Sequence, residues 1–309
     1  MDTLTSRPNP APVTTGHVVS ADGTAIGYRR TGHGPAVILL HGGLQSGQNL
    51  ARLAEALSGS FDVIVPDRRP RGAGPAAEPS VVEPSVVEPA DGEHAAREVE
   101  DLRALVEATG ARAVFGLSAG GLVALRAATE IPELTRLALY EPALSVGGSV
   151  PTSWLPRYDR QVAAGRIAAG MRTAMVGLQV APGLFRLPSF LVTPLLRLVM
   201  RFQRPAPGEA STEDVVRAMH HDMALVTELA DTTADYAAVG ADVLLLGGAK
   251  SPAYFGVTLA ALADVLPHAH RVTLSEMTHN DPDNDGDPAR VADLLEPFFQ
   301  GAPAVQPRY

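Results

Sequence analysis

The pentapeptide Gly116-Leu117-Ser118-Ala119-Gly120 sets a hydroxyl between two glycines in a G-x-S-x-G spacing. A β-type run, Ala113–Phe115, precedes it and a small-residue helical run, Ala119–Thr129, follows it. A chain that turns from strand to helix within two residues forces the central residue into a strained backbone, and the flanking glycines let strand and helix approach closely. Such a turn presents the Ser118 hydroxyl as a nucleophile above the strand ends. The Ala119 amide, at a helix N-terminus, is suited to hold a developing oxyanion. A second amide can come from Gly43 in His41-Gly42-Gly43-Leu44, which directly follows the apolar run Ala36–Leu40. A base is offered by His279 in Met277-Thr278-His279-Asn280, between the last β-type run and the last helical run. Hydroxyl, imidazole and paired amides are the parts of an acyl transfer. What remains is a carboxylate to orient the ring.

The elements that must position these groups follow from hydrophobic pattern. His17–Ser20 and Ala25–Arg30 flank Ala21-Asp22-Gly23-Thr24, an Asp-Gly turn between extended runs that predicts a hairpin. Ala36–Leu40, entered through Gly34-Pro35, and Phe61–Val65, ending at Pro66, are the continuous apolar runs of strands buried on both faces. Between them Leu50, Leu53, Ala54 and Leu57 recur at helical spacing. Thr135–Tyr140, Val243–Leu246 and Arg271–Leu274 predict further strands, and Pro252–Leu266 and Pro288–Phe299 predict helices with proline in the first turn. Strands alternating with helices imply βαβ units and a mostly parallel sheet, with the hairpin as an antiparallel edge.

Two segments interrupt this alternation. Glu78–Pro89 repeats Glu-Pro-Ser-Val-Val and then begins again with Glu-Pro. Proline at every fifth residue forbids a helix and predicts a semi-extended surface insertion. Pro142–Ala238 is helical in character, lies between two sheet strands and is too long for a connection, so a cap on the C-terminal edge of the sheet is expected. The expected organisation is a flexible, proline-rich tail over 1–16, a core over 17–141 and 239–300, a helical cap over 142–238, and a C-terminal tail over 301–309.

Hairpin, His-Gly-Gly turn, the loop Asp67-Arg68-Arg69-Pro70-Arg71-Gly72, serine elbow and late histidine, taken in this order over residues 17–300, resemble the α/β-hydrolase superfamily. The resemblance implies a doubly wound α/β fold, mostly parallel, with an inserted helical cap. It also implies a place for the missing acid. In most of the superfamily the acid follows the strand after the cap, yet here that turn reads Gly248-Ala249-Lys250-Ser251, with serine in the carboxylate's slot. Other branches carry the acid one strand earlier, and that slot holds Glu141. Glu141 is therefore the expected partner of His279, with Asp222, an aspartate of Asp281–Asp287, or a Ser–His dyad as alternatives. The implied activity is that of a serine hydrolase cleaving a carboxylic ester or lactone of a hydrophobic small molecule, without a cofactor. C–C bond hydrolysis, cofactor-free haloperoxidation, cyclisation, or a catalytically decayed binding protein are the alternatives.

Composition narrows the field. The chain has 309 residues, 46% of them apolar and 19% charged, enough for a substantial core. It has no cysteine, which excludes a thiol nucleophile and any Cys-ligated metal. A net charge of −9 argues against nucleic-acid binding. Lys250 is the only lysine and sits in no phosphate-binding loop. The tail lacks a signal-peptide pattern, and the most apolar stretch, Leu184–Phe202, carries Arg186, Arg197, Arg201 and two prolines, so neither export nor a membrane span is expected and a cytoplasmic protein is. His220-His221-Asp222 on a predicted helix, Thr212–Leu229, turns its two rings about 100° apart, which does not suit one metal. The acidic run Asp281–Asp287 lacks the twelfth-position glutamate of a calcium loop; Asp287 reads instead as a helix cap before Pro288, and no metal is expected. His41 and Asp67 read as loop-holding groups. Substrate contacts are expected from Leu44 and, on the cap, from Trp154, Phe185, Phe190 and His220. The apolar excess of the cap also suits a homodimer contact.

Overall fold

The computed structural model describes residues 12–69, 71, 93–181, 183–202, 205 and 209–302, so the Glu-Pro-Ser-Val-Val repeat lies outside the described residues. The expected hairpin is formed by β1 (Thr14–Val19) and β2 (Ala25–Gly32), with β1 beginning inside the segment assigned to the tail. Then come β3 (Ala36–Leu40), α1 (Ala51–Leu57) entered through a tight 3-10 turn at Gly47–Leu50, and β4 (Asp62–Pro66). Next are α2 (His94–Thr109), β5 (Ala113–Leu117), α3 (Ala119–Ala127) and β6 (Arg136–Tyr140). Among the described residues four α-helices follow before the sheet resumes: α4 (Leu155–Ala163), α5 (Ile167–Gly177), α6 (Ser189–Phe202) and α7 (Thr212–Glu228). The chain ends in β7 (Asp242–Gly248), α8 (Ala253–Val265), β8 (Ala269–Leu274) and α9 (Pro288–Phe299).

Among the described residues eight strands form one sheet in the order β1-β2-β4-β3-β5-β6-β7-β8. β2 pairs antiparallel with β1 and β4, and the remaining neighbours are parallel. Period-2 alternation sorts the side chains of β3 into two cores. Ile38 and Leu40 pack with residues of α2 and α3, whereas Val37 and Leu39 pack with residues of α1 and α9. Both sheet faces are covered, as the unbroken apolar runs predict.

The order fixes where a ligand can sit. From β3 the chain moves to β4 on one side, and from β5 it moves to β6 on the other, so the connections diverge at the C-terminal ends of β3 and β5. A crevice opens at such a switch point. The two segments that end there are His41-Gly42-Gly43 and Ser118.

One helix has no clear signature in the sequence. The inner face of α2 buries Glu98 and Asp101 beside Val99, Leu102 and Leu105, and these carboxylates interrupt its apolar stripe.

Candidate active site

Ser118 stands between β5 and α3 with φ 53°, a left-handed conformation rare outside glycine. The flanking glycines are required by contact. A Cβ on Gly116 would fall 2.6 Å from the Gly120 carbonyl oxygen, and one on Gly120 would fall 2.5 Å from the carbonyl oxygen of His41. Ser118 backbone N–H donates to Tyr140 O on β6 at 3.0 Å, which ties the strained turn to the sheet. Leu44 (φ 55°) and Glu141 (φ 47°) also adopt left-handed backbone, so strain gathers at the three loops that meet over the sheet.

Glu141 is buried, and its amide donates to Leu246 O on β7. One carboxylate oxygen, Oε1, accepts the Gly248 amide at 2.7 Å; the other, Oε2, meets His279 Nδ1 at 2.7 Å. A carboxylate only accepts, so Nδ1 carries the proton and Nε2 is left with its lone pair. The imidazole stacks on Phe255 with ring centres 4.2 Å apart and planes 13° from parallel. The Tyr140 hydroxyl donates to Thr278 O at 2.7 Å and fixes the loop just before the histidine. Three of the alternative acids have partners elsewhere. Asp281 accepts from Thr278, Asp283 accepts from Gln45 and Asn49, and Asp222 accepts from two arginines. Ser251, in the usual acid slot, has a buried hydroxyl with no hydrogen-bond partner among the described residues.

Ser118 and His279 line one cavity of about 410 Å³ together with Gly43, Leu44 and Ala119. No hydrogen bond joins the serine hydroxyl to the imidazole among the described residues, a contact that commonly tightens only once substrate is bound. The amides of Gly43 and Ala119 are taken by no acceptor among the described residues, which leaves both available to an oxyanion. Much of the wall is apolar, with Met171 and Met175 from α5, Met219, Met223 and Val226 from α7, and Tyr254 and Phe255 from α8. The floor is stitched across the whole chain: Gln45 and Asn49, just after β3, both donate to Asp283, near α9, at 2.8 and 3.0 Å.

Of the side chains expected to touch substrate, only Leu44 lines this cavity. Trp154 is buried, donates to Pro151 O and stacks edge-on against Tyr158. Phe185 is buried away from the cavity, Phe190 is 73% exposed on the outside of α6, and His220 is exposed with its ring on Asp159. Apolar content placed these residues in the cap but could not tell which helix face turns inward. The residues that do face the cavity had a signal that went unread: Met171/Met175 and Met219/Met223 are both i, i+4 pairs, one above the other on a helix face.

A second cluster lies behind the His-Gly-Gly turn. Arg68, fully buried, grips the Glu98 carboxylate through Nε (2.8 Å) and Nη2 (2.5 Å), and also reaches Asp222. Arg71 closes on the other Asp222 oxygen. Arg68 also donates its amide to His41 Nε2 and its Nη1 to His41 O, so His41 and Asp67 hold loops as expected. His221 donates Nε2–H to Glu98 at 3.1 Å, which leaves its Nδ1 to accept from His94. Burial alone would raise Glu98, but the Arg68 charge and the His221 hydrogen bond hold its carboxyl well below the usual range. Burial, reinforced by Arg71 and Arg68, pushes His41 well below an ordinary imidazole, so it stays neutral. Arg68, Arg71, His94 and Glu98 thus join α7, α2 and the turn that carries Gly43. Their positions, far apart in sequence, gave no pattern to read.

The model of the alpha/beta hydrolase family matches residues 37–294. The chain belongs to this family. It is similar over 92% of its length to an alpha/beta hydrolase from Sphaerobacter thermophilus, with 32% identity, all of that chain covered and a TM-score of 0.69. An esterase from a Rhodococcus species shares the fold at 20% identity over 94% of this chain and 99% of its own, with a TM-score of 0.65. A meta-cleavage product hydrolase from Pseudomonas fluorescens does so at 18% identity over 92% and 97%, with a TM-score of 0.61. The family and the doubly wound sheet with its inserted helices agree with the order of motifs in the sequence. Among the described residues no helix is long and apolar enough to cross a membrane.

Proposed function

We propose that this alpha/beta hydrolase is a serine enzyme that opens a carboxylic ester or lactone of a hydrophobic small molecule through an acyl-enzyme. The observation that carries the reading is the Glu141–His279 contact at the cavity that also holds the strained Ser118. With Nδ1–H bound to the carboxylate, His279 Nε2 takes the serine proton as Oγ attacks the substrate carbonyl. The tetrahedral oxyanion is received by the Gly43 and Ala119 amides. His279⁺, steadied by Glu141, returns the proton to the leaving alcohol, and water activated by the same ring releases the acyl group. The cycle calls on no cofactor. The methionine-rich wall, with no lysine or arginine among the described residues that line it, supports an apolar substrate over an anionic one.

A fluorophosphonate probe is expected to label Ser118 and to fail on Ser118→Ala; absence of labelling in the folded wild-type protein would overturn the reading. Glu141→Gln is expected to lower kcat by about 10³–10⁴-fold by losing the anion that supports the imidazolium, whereas Ser251→Ala leaves kcat near wild type. Equal rates for Glu141→Gln and wild type would remove Glu141 from the mechanism. p-Nitrophenyl esters of increasing chain length, run beside a lactone panel, identify the acyl size.

A further inference from the structure

Helix α6 has its apolar side turned outward. Val192 is its one buried residue, while Phe190, Leu191, Leu195, Leu198, Val199 and Phe202 are exposed, the two phenylalanines by 73% and 74%. At 100° per residue these six side chains fall within about half of the helix circumference. Arg197 and Arg201 fall at one border of that arc, both exposed, and neither meets a carboxylate among the described residues. The segment 183–202 contains three arginines and no acidic residue, in a chain of net charge −9. A like-charged second copy of the same face would bring these arginines together, whereas an anionic lipid surface satisfies the apolar arc and its basic border at once. At fourteen residues α6 cannot cross a bilayer, but it can lie in the plane of one. Its inner neighbour, α5, packs on it and supplies Met171 and Met175 to the cavity wall.

We infer that the outer face of α6 is a docking surface for an anionic lipid bilayer, which sets the cavity beside the membrane interface. The wild-type protein is expected to co-sediment with phosphatidylcholine vesicles containing phosphatidylglycerol, and added salt is expected to release it. R197Q/R201Q is expected to lower the partition coefficient on those vesicles by about thirtyfold, from about 1 kcal/mol for each lost arginine. L195E/L198E is expected to abolish binding, with an unchanged circular dichroism spectrum as the folding control; should this pair misfold, the arginine pair and the salt titration still decide. The inference is overturned if wild type stays in the supernatant of anionic vesicles at low salt, or if neither variant weakens binding. It is also overturned if wild type sediments as a dimer without lipid and L195E/L198E makes it a monomer, because the face is then an interface between copies. All of these are binding measurements, so they stand whether or not esters are turned over.

Discussion

Helices α6 and α7 belong to one insertion between β6 and β7, and they are held in opposite ways. On α7 the inward side chains include His221 and Asp222, locked to Glu98, Arg68 and Arg71 in a cluster almost without solvent contact. Its start is fixed by a capping box in which the Ser211 hydroxyl accepts the Asp214 amide. On α6 a single valine is buried and the apolar side chains face outward. The cluster under α7 also holds the turn that carries Gly43, so rigidity is concentrated where, on the proposed mechanism, a donor meets a developing charge. Among the described residues no side chain of α6 lines the cavity, and the outer face of that helix is free to answer to its surroundings.

The contrast can be tested by removing what holds each helix. Arg68→Met leaves Glu98 without its cation in a dry site and takes one donor from Asp222. A loss of about 3–5 kcal/mol is expected from the urea midpoint, together with a fall in kcat as His41 O loses its donor. A loss below about 1 kcal/mol would mean that packing, and not the ion cluster, fixes α7.

Acid supplies a second, smaller perturbation. His41 is held neutral in the fold, whereas the unfolded chain binds a proton there near the ordinary value of 6.5. Below that pH the unfolded state carries the extra proton, so stability falls as pH falls, by about 1.4 kcal/mol per pH unit. Glu98 acts in the same direction in a lower window: its depressed carboxyl stabilises above the ordinary glutamate value of 4.5, and that stabilisation is lost as pH falls further. His41→Gln is expected to flatten the stability profile between about pH 6.5 and 5 relative to wild type. Parallel profiles for the two proteins would show that His41 is not the group being titrated.

The smallest effect belongs to α6. Leu198→Ser, at an exposed position, is expected to change stability by no more than about 0.5 kcal/mol. A cost above about 2 kcal/mol would show that this face is packed in solution and would erase the contrast with α7.

The sheet was legible because strands buried on both faces read as unbroken apolar runs, and Ala36–Leu40 forms β3 over those same residues. The elbow was legible because its glycines answer to steric contact, and Asp287-Pro288 because a side-chain cap and a fixed φ are local: Asp287 does accept the Arg290 amide. Glu141 came from the resemblance, because some branches of the superfamily carry the acid one strand earlier and Ser251 stands in the usual slot. What could not be read is chemistry made by pairing at a distance. Asp222 and Arg68 are 154 residues apart, and α2 hid its helical stripe by burying the carboxylates that the arginines require. The cavity wall was misassigned for a related reason. Aromatic and aliphatic side chains on a cap are equally consistent with packing, pocket or outer surface until the orientation of each helix is known.

The stitch from Gln45 and Asn49 to Asp283 spans well over two hundred positions of the chain. During synthesis Ser118 and the Gly43 and Ala119 amides leave the ribosome long before His279 and the aspartate that closes the floor. On the proposed mechanism the nascent protein stays inert until its last quarter is made, and splitting the chain anywhere between the elbow and that aspartate is expected to yield two silent fragments whose activity returns only on reassociation.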